Sequence, residues 1–315
     1  MMANLVSNIL NNGGDIWPLI IPSEHTNGTG LCNPSILNDN GKLLINLRHV
    51  QYDFYHTFGK YESRYGPLLY MHPDSDRTLR TVNYLMEWDQ YIQLYNKVDT
   101  TLLDKPPVWE FIGLEDARLV RWDDKLYLTG VRRDTTTNGE GRMELSLIED
   151  CKEIERTRIQ PPIETYCEKN WMPITDMPFH YVKWCNPTEI VKVEGDKAQT
   201  IFTGDTLNLR YDLRGGSNVI NIGDGYHMAI VHRTQFWRNE QDNKQSIYTH
   251  HIMVWDKDWK VDRISREFNF MGGDIEFCVG LEQKDNDFYI TFGFEDAAAY
   301  LVKVKKDWLI NWIYV

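Results

Sequence analysis

The feature that most constrains the fold is a hairpin pattern that recurs five times along the chain. Each copy combines a short apolar segment, a turn rich in Asp, Asn, Gly or Pro, and a second segment in which apolar residues alternate, which indicates two antiparallel strands. The turns lie roughly 50 to 80 residues apart and centre on Gly41, Asp124, Met177, Gly225 and Asp285. Such a pattern predicts an architecture of equivalent units with insertions between them.

Further alternating segments follow several hairpins, as at residues 84–89 and 252–259, and they bring the expected number of strands per unit to four. Four-stranded sheets repeated radially form a β-propeller, in which the first strand of each blade lines a central channel. The sequence therefore predicts an all-β fold, a five-bladed β-propeller with four-stranded antiparallel blades around a central channel, as a single domain over residues 1–315. A β-sandwich is the alternative, because evenly spaced strands also fit that class.

Composition limits the classes of partner. The net charge of −12 disfavours a broad grip on a nucleic-acid backbone, which needs many exposed Lys and Arg. The five cysteines are odd in number and never spaced as C-x-x-C, so neither a disulfide framework nor a zinc site is predicted. The sequence predicts neither a signal peptide nor a membrane span, since it has no apolar run of about twenty residues. We expect a cytoplasmic protein without a membrane partner.

Residues 52–80 are predicted to form an insertion between the first two blades. The segment is rich in tyrosine, with Tyr52, Tyr55, Tyr61, Tyr65 and Tyr70. Aromatic faces stack on sugars and on bases. One interpretation of the insertion is therefore a lid or an acceptor platform, and the other is a packed outer strand pair.

The segments that precede the five turns are unusually polar for inner strands. They span residues 33–35, 115–118, 169–173, 214–217 and 276–280. Strands that only fill a core would be apolar there, because a buried charge without a partner is costly. We expect these segments to meet at the channel mouth and to line a ligand pocket. The alternative is that Glu115, Arg118, Lys169 and Arg214 pair with one another and plug the channel.

The order of these motifs resembles a known group of enzymes. Residues 113–118 (GLEDAR), 169–173 (KNWMP) and 214–217 (RGGS), followed by His232 and a late Asp296, are similar to motifs of the glycoside hydrolase family 130 mannoside phosphorylases and hydrolases and of the related family 108 mannosyltransferases. The likeness extends from about residue 33 to residue 301. It implies a five-bladed propeller, in agreement with the hairpin count.

The resemblance implies a catalytic role for Asp116. In the family, the Asp of the Glu-Asp-Pro-Arg segment is the general acid in glycoside breakdown or the base in synthesis, although Ala117 stands here in place of Pro. Breaking a glycosidic bond requires a proton on the leaving oxygen, and inversion by phosphate needs only one protein carboxyl group. The structural alternative for Asp116 is an ion pair with Arg118. Strand alternation predicts that Glu115 points to the opposite face.

The resemblance also implies substrate-binding roles. Lys169 and Asn170 match a pair that positions the sugar, and His232, Tyr248 and His251 resemble positions that hold phosphate. Asp296 is expected either to contact a sugar hydroxyl or to close the propeller. Guanidinium groups grip phosphate bidentately, and the candidates are Arg48, Arg118, Arg132, Arg133 and Arg214. Substrate-binding roles are also expected for Asn33, Glu115, Ser217 and Glu276.

These expectations describe an inverting glycosyl-transfer enzyme, either a glycoside phosphorylase or a glycosyltransferase, that uses a phosphate-bearing sugar donor, a glycan or other hydroxyl acceptor, and no cofactor. Two alternatives stay open. One is a nucleotide-sugar-dependent transferase that modifies a polymer, either a glycan or a nucleic acid, and the other is a non-catalytic glycan-binding propeller. The Asp-x-Asp motifs at 74–76, 256–258 and 285–287 are typical of turns, so no metal site is predicted.

Overall fold

The computed structural model of this protein describes residues 2–26, 28–56, 68–71, 78–89, 93–238 and 244–314. It contains five antiparallel sheets arranged in a ring. The predicted all-β, five-bladed β-propeller is confirmed. In blades 1 to 4 the main strands follow one another from the channel outwards, and blade 5 takes its outermost strand from the N-terminal segment.

The elements occur in the following order. The N-terminal segment contains β1 (Ala3–Asn4), α1 (Leu5–Leu10), β2 (Asp15–Pro18) and α2 (Ser23–Thr26). Blade 1 and the segments attached to it contain β3 (Leu31–Asp39), β4 (Lys42–Val50), β5 (Asp53–His56), β6 (Leu68–Met71), β7 (Leu79–Trp88), β8 (Gln93–Lys97) and β9 (Phe111–Ile112). Blade 2 contains β10 (Glu115–Trp122), β11 (Lys125–Arg132), β12 (Arg142–Glu149) and β13 (Lys152–Arg158).

The second half of the chain continues the ring. Blade 3 contains β14 (Met172–Pro173), β15 (His180–Cys185), β16 (Thr188–Glu194) and β17 (Lys197–Thr203). Blade 4 contains β18 (Ile220–Gly223), β19 (Tyr226–Arg238), β20 (Lys244–Trp255), β21 (Val261–Ile264) and β22 (Phe268–Asn269). Blade 5 is built from β23 (Glu276–Lys284), β24 (Asp287–Phe294) and β25 (Ala298–Lys305), and α3 (Lys306–Ile313) ends the chain.

The N-terminal segment closes the ring. Strand β2 pairs antiparallel with β25 and so supplies the outermost strand of blade 5, while β1 pairs in parallel with β22 of blade 4. Closure therefore joins the two ends of the chain through backbone hydrogen bonds.

The predicted hairpin turns have the backbone conformation that their residues favour. Asn40 and Gly41 have φ values of 52° and 87°, and Asp123 and Asp124 have values of 49° and 61°. Two-residue turns of this kind require positive φ at both positions, which Asn, Asp and Gly adopt most readily. In the turn between β23 and β24, Asp285 has a positive φ of 56°. The turn residues thus fix where each inner strand ends.

Short polar side chains tie the inner strands together around the channel. The Ser35 hydroxyl donates to the Ala117 carbonyl at 2.8 Å, and Asn218 Nδ2 donates to the Leu119 carbonyl at 2.9 Å. Ser35 and Asn218 are both fully buried. Such bonds satisfy main-chain groups that the ladders leave open. These hydrogen bonds hold the inner strands together below the channel mouth.

The prediction of an insertion between blades 1 and 2 is corrected: β7 is the third strand of blade 1, so the segment lies within blade 1, between β4 and β7, and its strands β5 and β6 pair antiparallel. Tyr52 is buried at its start. Tyr61 and Tyr65 lie outside the described residues, and the side chains of Tyr55 and Tyr70 are not among those described. The lid or platform interpretation of this segment stays a prediction. None of the described helices is long and apolar enough to cross a membrane.

Candidate active site

Three inner segments share an unusual backbone residue at the channel mouth. Asn33, Asp116 and Asn170 have φ values of 45°, 50° and 62°, in the left-handed region. In β3 and β10 this residue falls within a register shift against the neighbouring strand, between Cys32 and Ser35 and between Glu115 and Arg118. A bulge of this kind redirects a side chain out of the strand's alternation. The repeated occurrence of Asn or Asp at this place is a sequence signal for these three left-handed residues.

Asp116 is held by two side chains from blade 1. Asn33 Nδ2 and Arg48 Nη1 each donate to Oδ1 of Asp116 at 2.8 Å. The Asp116 side chain is 17% exposed, and no contact to its Oδ2 is recorded from the described part of the chain. One carboxylate oxygen is therefore fixed, and the other is available to a ligand.

The predicted alternative of an Asp116–Arg118 ion pair is wrong. Arg118 is fully buried; its Nη1 donates to the main-chain carbonyl of Asp116 at 2.9 Å, and its Nε donates to the carbonyl of Gly216 at 2.8 Å. Arg118 therefore joins blade 2 to the segment that leads into blade 4. It positions the backbone at Asp116, and Arg48 forms the ion pair with the Asp116 carboxylate.

Three carboxyl groups share the field of Arg48. Burial acts to raise the pKa of Asp116, but Arg48 and the hydrogen bond from Asn33 outweigh it and hold that pKa below its ordinary value. Burial raises the pKa of Glu115, with Arg48 opposing. Burial also raises the pKa of Asp296 to about 6, opposed by Arg48 and reinforced by Asp116 and Glu115. Asp116 is thus the group most firmly ionised at neutral pH.

The predicted alternation of Glu115 and Asp116 assumed a regular strand. The bulge at Asp116 interrupts the pleat on which that prediction depended. Charges on Arg48, Asp116 and Lys169 all affect the pKa of Glu115, and Arg48 and Lys169 also affect that of Asp116. Both carboxyl groups therefore lie within electrostatic range of the same cations.

Blade 4 contributes a stacked pair of rings to the mouth. The rings of His232 and Tyr248 lie 5.6 Å apart with 13° between their planes. Burial, with contributions from His250, Arg214 and Lys169, holds the pKa of His232 well below its ordinary value, so its imidazole is neutral. Burial, together with Asp296 and Asp116, raises the pKa of Tyr248 to about 12. The mouth therefore combines a neutral imidazole and a protonated phenol with the cations Lys169 and Arg214.

Several buried polar atoms near the mouth have no hydrogen-bond partner among the described residues. They are Asn33 Oδ1, Arg118 Nη2 and His232 Nδ1. Buried polar groups are nearly always paired, so each exception calls for a cause such as a ligand or a water molecule. Asn33 and Arg118 both contact Asp116, so their unpaired atoms fit a site that binds a polar ligand.

Arg132 lies in a different place from the other predicted arginines. Its side chain is 4% exposed and pairs with Glu144 at 2.7 Å, with Asp134 and Glu153 also within 4.0 Å. This cluster borders a cavity of about 930 Å³ between blades 1 and 2. The prediction of Arg132 as a substrate ligand at the mouth is corrected, because its charge is already neutralised inside blade 2.

Ser217 and Glu276 serve the backbone. The Ser217 hydroxyl donates to the Asn218 carbonyl and accepts from the Ile230 amide. The Glu276 carboxylate is fully buried and accepts from four successive amides, those of residues 270–273. These contacts use the hydrogen-bonding capacity that a substrate would need. The expectation that Ser217 and Glu276 bind substrate is therefore corrected.

His251 lies on the other face of its strand. Opposite residues of β19 and β20 pair as His232 with His250 and Val231 with His251, so the alternation places His251 away from His232 and Tyr248. His251 Nδ1 donates to the Ser265 carbonyl at 2.8 Å, and Nε2 lies 3.3 Å from the Tyr211 hydroxyl. The predicted phosphate-binding trio is thus divided, and only two of its members reach the mouth.

One supporting residue was missed by the motif analysis. Thr81 Oγ1 accepts from Nε of Arg48 at 3.1 Å and so fixes the guanidinium that holds Asp116. The available signal was a pair of short polar residues, Thr81 and Asn83, at alternate positions of β7. Among the residues that the structure covers, no group of His, Cys, Asp or Glu is arranged to hold a metal ion.

Comparison with known proteins separates the sequence from the fold. No protein-family profile matches the chain, and no curated protein is significantly similar to it. Solved structures are similar over nearly its whole length. A β-1,2-mannobiose phosphorylase from Listeria innocua, in complex with β-1,2-mannobiose, has 12% identity and a TM-score of 0.57, with 95% of this chain and 99% of that chain covered.

Two other similar structures belong to related enzymes. A mannose phosphorylase from Leishmania mexicana, in complex with a phosphate ion, has 11% identity and a TM-score of 0.54 and covers 97% of this chain and 93% of its own. A structure from the glycoside hydrolase family 130, described for hydrolases that target β-1,2-mannosidic linkages in Candida mannan, has 12% identity, a TM-score of 0.58, and coverages of 89% and 85%. The predicted resemblance to family 130 propellers is confirmed for the fold, and its family 108 part stays a prediction.

Proposed function

We propose that this chain is a carbohydrate-active enzyme that transfers a glycosyl group between phosphate and a sugar hydroxyl, as an inverting glycoside phosphorylase does. One observation carries the proposal: the Asp116 carboxylate is fixed through one oxygen by Asn33 and Arg48, and its other oxygen is available at a mouth that also holds Lys169 and Arg214. The similar phosphorylase structures, one of them with phosphate bound, support phosphate as the co-substrate.

Asp116 is proposed as the group that moves the proton. In glycoside breakdown, phosphate oxygen forms a bond to the anomeric carbon while the bond to the leaving oxygen breaks, and Asp116 gives its proton to that oxygen. In synthesis, the ionised carboxylate removes the proton from the attacking hydroxyl, and phosphate leaves. The lowered pKa of Asp116 suits the synthetic direction, because the group is already ionised at neutral pH. A phosphate dianion bound nearby would raise that pKa and favour the reverse step.

Lys169, Arg214, His232 and Tyr248 are proposed to hold the phosphate. A guanidinium can bind two phosphate oxygens at once, and an ammonium supplies a compact charge. The raised pKa of Tyr248 keeps its hydroxyl protonated, so it can donate to a phosphate oxygen. Charge that develops on the leaving phosphate would thus be stabilised by groups already in place.

The test is a donor screen with two readouts. Sugar 1-phosphates are assayed for phosphate release, and UDP- and GDP-sugars for nucleoside diphosphate release, each with mono- and oligosaccharide acceptors. We expect phosphate release by the wild type and a loss of about 10²- to 10⁴-fold in Asp116→Asn, the range that general acid–base catalysis contributes. Asn tolerates the left-handed backbone at this position, so the fold should persist.

Asp123→Asn is the matched control. Asp123 lies on the same blade in the same left-handed conformation, but in the exposed turn between β10 and β11. It should retain wild-type turnover. Equal rates for Asp116→Asn and wild type would remove Asp116 from the mechanism. Release of a nucleoside diphosphate alone would replace the phosphorylase with a nucleotide-sugar transferase, and no turnover or sugar binding on any donor would overturn the enzymatic proposal.

A further inference from the structure

The segment that leads into the candidate catalytic strand crosses from blade 1 to blade 2. Strand β9 pairs in parallel with β7 of blade 1, and β10 of blade 2 begins at Glu115. Only Gly113 and Leu114 lie between β9 and β10. Asp116 is the second residue of β10, so its position depends on how this crossing is held.

Gly113 lies very close to blade 1. Its φ is 96°, and a Cβ atom at this position would stand 2.4 Å from the Thr81 carbonyl oxygen, so no side chain fits there. Thr81 also accepts the hydrogen bond from Nε of Arg48, whose Nη1 donates to Asp116. Because Arg48 belongs to blade 1 and Asp116 to blade 2, a displacement of the crossing would change the distance between them.

Asp134 holds the crossing from the side of blade 2. Its Oδ2 accepts from the Gly113 amide at 2.9 Å. Asp134 follows β11, the strand that pairs with β10, and its side chain is buried. Arg132 Nη1 lies 3.5 Å from the same Oδ2, and Arg132 has a closer partner in Glu144 at 2.7 Å. The Asp134 carboxylate is thus fixed in blade 2 and binds the amide of the crossing.

Hydrogen bonding matters at this crossing because packing is incomplete there. Thr81, Gly113, Leu114 and Asp134 all border the cavity of about 930 Å³ between blades 1 and 2. Close packing normally fixes a buried segment. Gly113 has no side chain to pack and borders the cavity, so the bond from its amide to Asp134 takes the place of that packing.

We propose that Asp134 is a positioning residue: its bond to the Gly113 amide fixes the start of β10 and so sets the contact between Asp116 and Arg48. The inference rests on the proposed function, in which Asp116 moves the proton. Asp134 acts through the backbone, because its described side-chain contacts are with Gly113 and Arg132. A displacement of about 1 Å at a catalytic group can cost about 100-fold in rate.

The test compares two substitutions that remove the same charge. Asp134→Asn keeps an oxygen that can accept from the Gly113 amide, whereas Asp134→Ala removes the acceptor. The assay is phosphate release from the sugar 1-phosphate that wild type uses in the donor screen, beginning with mannose 1-phosphate and mannose. In Asp134→Ala we expect kcat to fall about 10- to 100-fold, with the KM for the sugar 1-phosphate changed by less than about twofold. Asp134→Asn should keep kcat within about threefold of wild type.

A pH–rate profile separates positioning from a general loss of stability. If Asp116 moves away from Arg48, its lowered pKa rises, so the acid limb of the synthetic reaction should move to higher pH. We expect this shift in Asp134→Ala and not in Asp134→Asn. Partial unfolding would lower the rate without moving the limb, because the remaining folded enzyme would keep the wild-type profile. Both variants retain the charged groups that act on Asp116 in the described structure, which are Arg48, Arg118, Lys169, Glu115 and Asp296.

Asp256→Ala is the matched control. Asp256 Oδ1 accepts from the amides of Asp258 and Lys260 at 2.9 and 3.0 Å, in the turn between β20 and β21. Urea unfolding should show a loss of stability in this variant, and its kcat and acid limb should match wild type. Asp134→Leu, which is close to Asn in size, repeats the comparison without an emptied volume if Asp134→Ala does not fold.

The outcomes separate this inference from the proposed function. Turnover by wild type, with unchanged kcat and an unshifted acid limb in Asp134→Ala, would overturn the role of Asp134 and leave the proposed function intact. Equal losses in Asp134→Asn and Asp134→Ala would assign the effect to the lost charge and also overturn it. Failure of both the Ala and the Leu variant to fold while Asp134→Asn folds would do the same, because the bond would then serve the fold. No turnover by wild type on any donor would overturn the proposed function and this inference with it.

Discussion

Two arginine–carboxylate clusters, one at the channel mouth and one inside blade 2, have similar cores and different surroundings. Arg48 is 2.8 Å from Asp116, and Arg132 is 2.7 Å from Glu144. Both arginines are buried. At the mouth, Arg48 is the cation with the largest effect on each of three carboxyl groups, those of Asp116, Glu115 and Asp296. Inside blade 2, Glu144 and Glu153 are surrounded by three arginines, Arg132, Arg156 and Arg158.

The difference lies in how completely the hydrogen-bonding groups are used. Glu144 accepts from Arg132 and Arg158 through separate oxygens, and Glu153 accepts from Ser146 and Arg156. A buried charge network is stable only when its members are satisfied in this way. Asp116, in contrast, uses one oxygen. A saturated cluster maintains the fold, and an unsaturated one retains capacity for a ligand.

The largest expected effect is on the saturated cluster. Arg132→Met would leave Glu144 and Glu153 buried with a missing partner, and breaking such a pair costs about 3–5 kcal/mol of unfolding free energy. Urea unfolding followed by fluorescence measures the change. Arg121→Met is the control, since Arg121 forms a bidentate but partly exposed pair with Asp39 and should cost at most about 1 kcal/mol. Equal losses of unfolding free energy in Arg132→Met and Arg121→Met would show that the buried cluster in blade 2 is no more important for stability than a partly exposed ion pair.

Arg48→Met tests the unsaturated cluster. We expect a fall in turnover of about 100-fold, near 2.7 kcal/mol in the barrier, because Asp116 loses the group that positions it. Without Arg48, the lowered pKa of Asp116 should rise, since Arg48 is the strongest influence that opposes burial. In the synthetic direction Asp116 must be ionised, so the acid limb of the pH–rate profile should move to higher pH. A profile that does not move would show that Asp116 is not the base.

The fold was more predictable from the sequence than the site. Local signals decided the fold: Asn40-Gly41, Asp123-Asp124 and Asp285 adopt the positive φ values that their residue types favour, and each marks the end of an inner strand. The motif at 113–118 likewise located Asp116. These inferences needed only neighbouring residues, because turns form from local chemistry.

The sequence could not predict which buried charges have all their hydrogen bonds satisfied, because the partners come from strands whose register is not known from the sequence. Arg48 and Arg132 occupy similar apolar strands, and only the structure shows that Arg132 faces Glu144 while Arg48 faces Asp116. Glu276 was predicted to bind substrate, yet its carboxylate accepts hydrogen bonds from four successive amides. Strand alternation gives no prediction at Glu115, because a bulge follows that residue, whereas it would have separated His251 from His232 if the register of β19 and β20 had been known.

A substitution of Asp296 tests whether the mouth carries more negative charge than Arg48 neutralises. Its pKa of about 6 in the folded protein lies above the ordinary value of 3.8, so the folded state keeps a proton that the unfolded state loses between about pH 4 and pH 6. Its contribution to stability is therefore present at low pH and is lost as pH rises through that window. Asp296→Asn, which cannot ionise, should gain in stability relative to wild type between pH 4.5 and pH 8 in urea unfolding.

Asp285→Asn is the control for this pH dependence. It changes a turn residue of the same blade with the same left-handed backbone, away from the mouth. Its stability relative to wild type should not follow the same trend. If Asp296→Asn gained nothing at pH 8, Arg48 would be compensating all three carboxyl groups, and the proposed imbalance at the mouth would not exist.

The smallest expected effect applies the same criterion to two histidines on neighbouring strands. His232 has no partner for Nδ1 among the described residues, whereas both ring nitrogens of His251 have partners, in the Ser265 carbonyl and the Tyr211 hydroxyl. If a ring nitrogen without a hydrogen-bond partner marks a ligand-binding residue, His232→Gln should raise the KM for phosphate about tenfold. This is the scale of one hydrogen bond to a charged group. His251→Gln should change it by less than about twofold. If His251→Gln raised the KM for phosphate more than His232→Gln, the number of hydrogen bonds that a side chain already makes would not distinguish structural residues from binding residues in this protein.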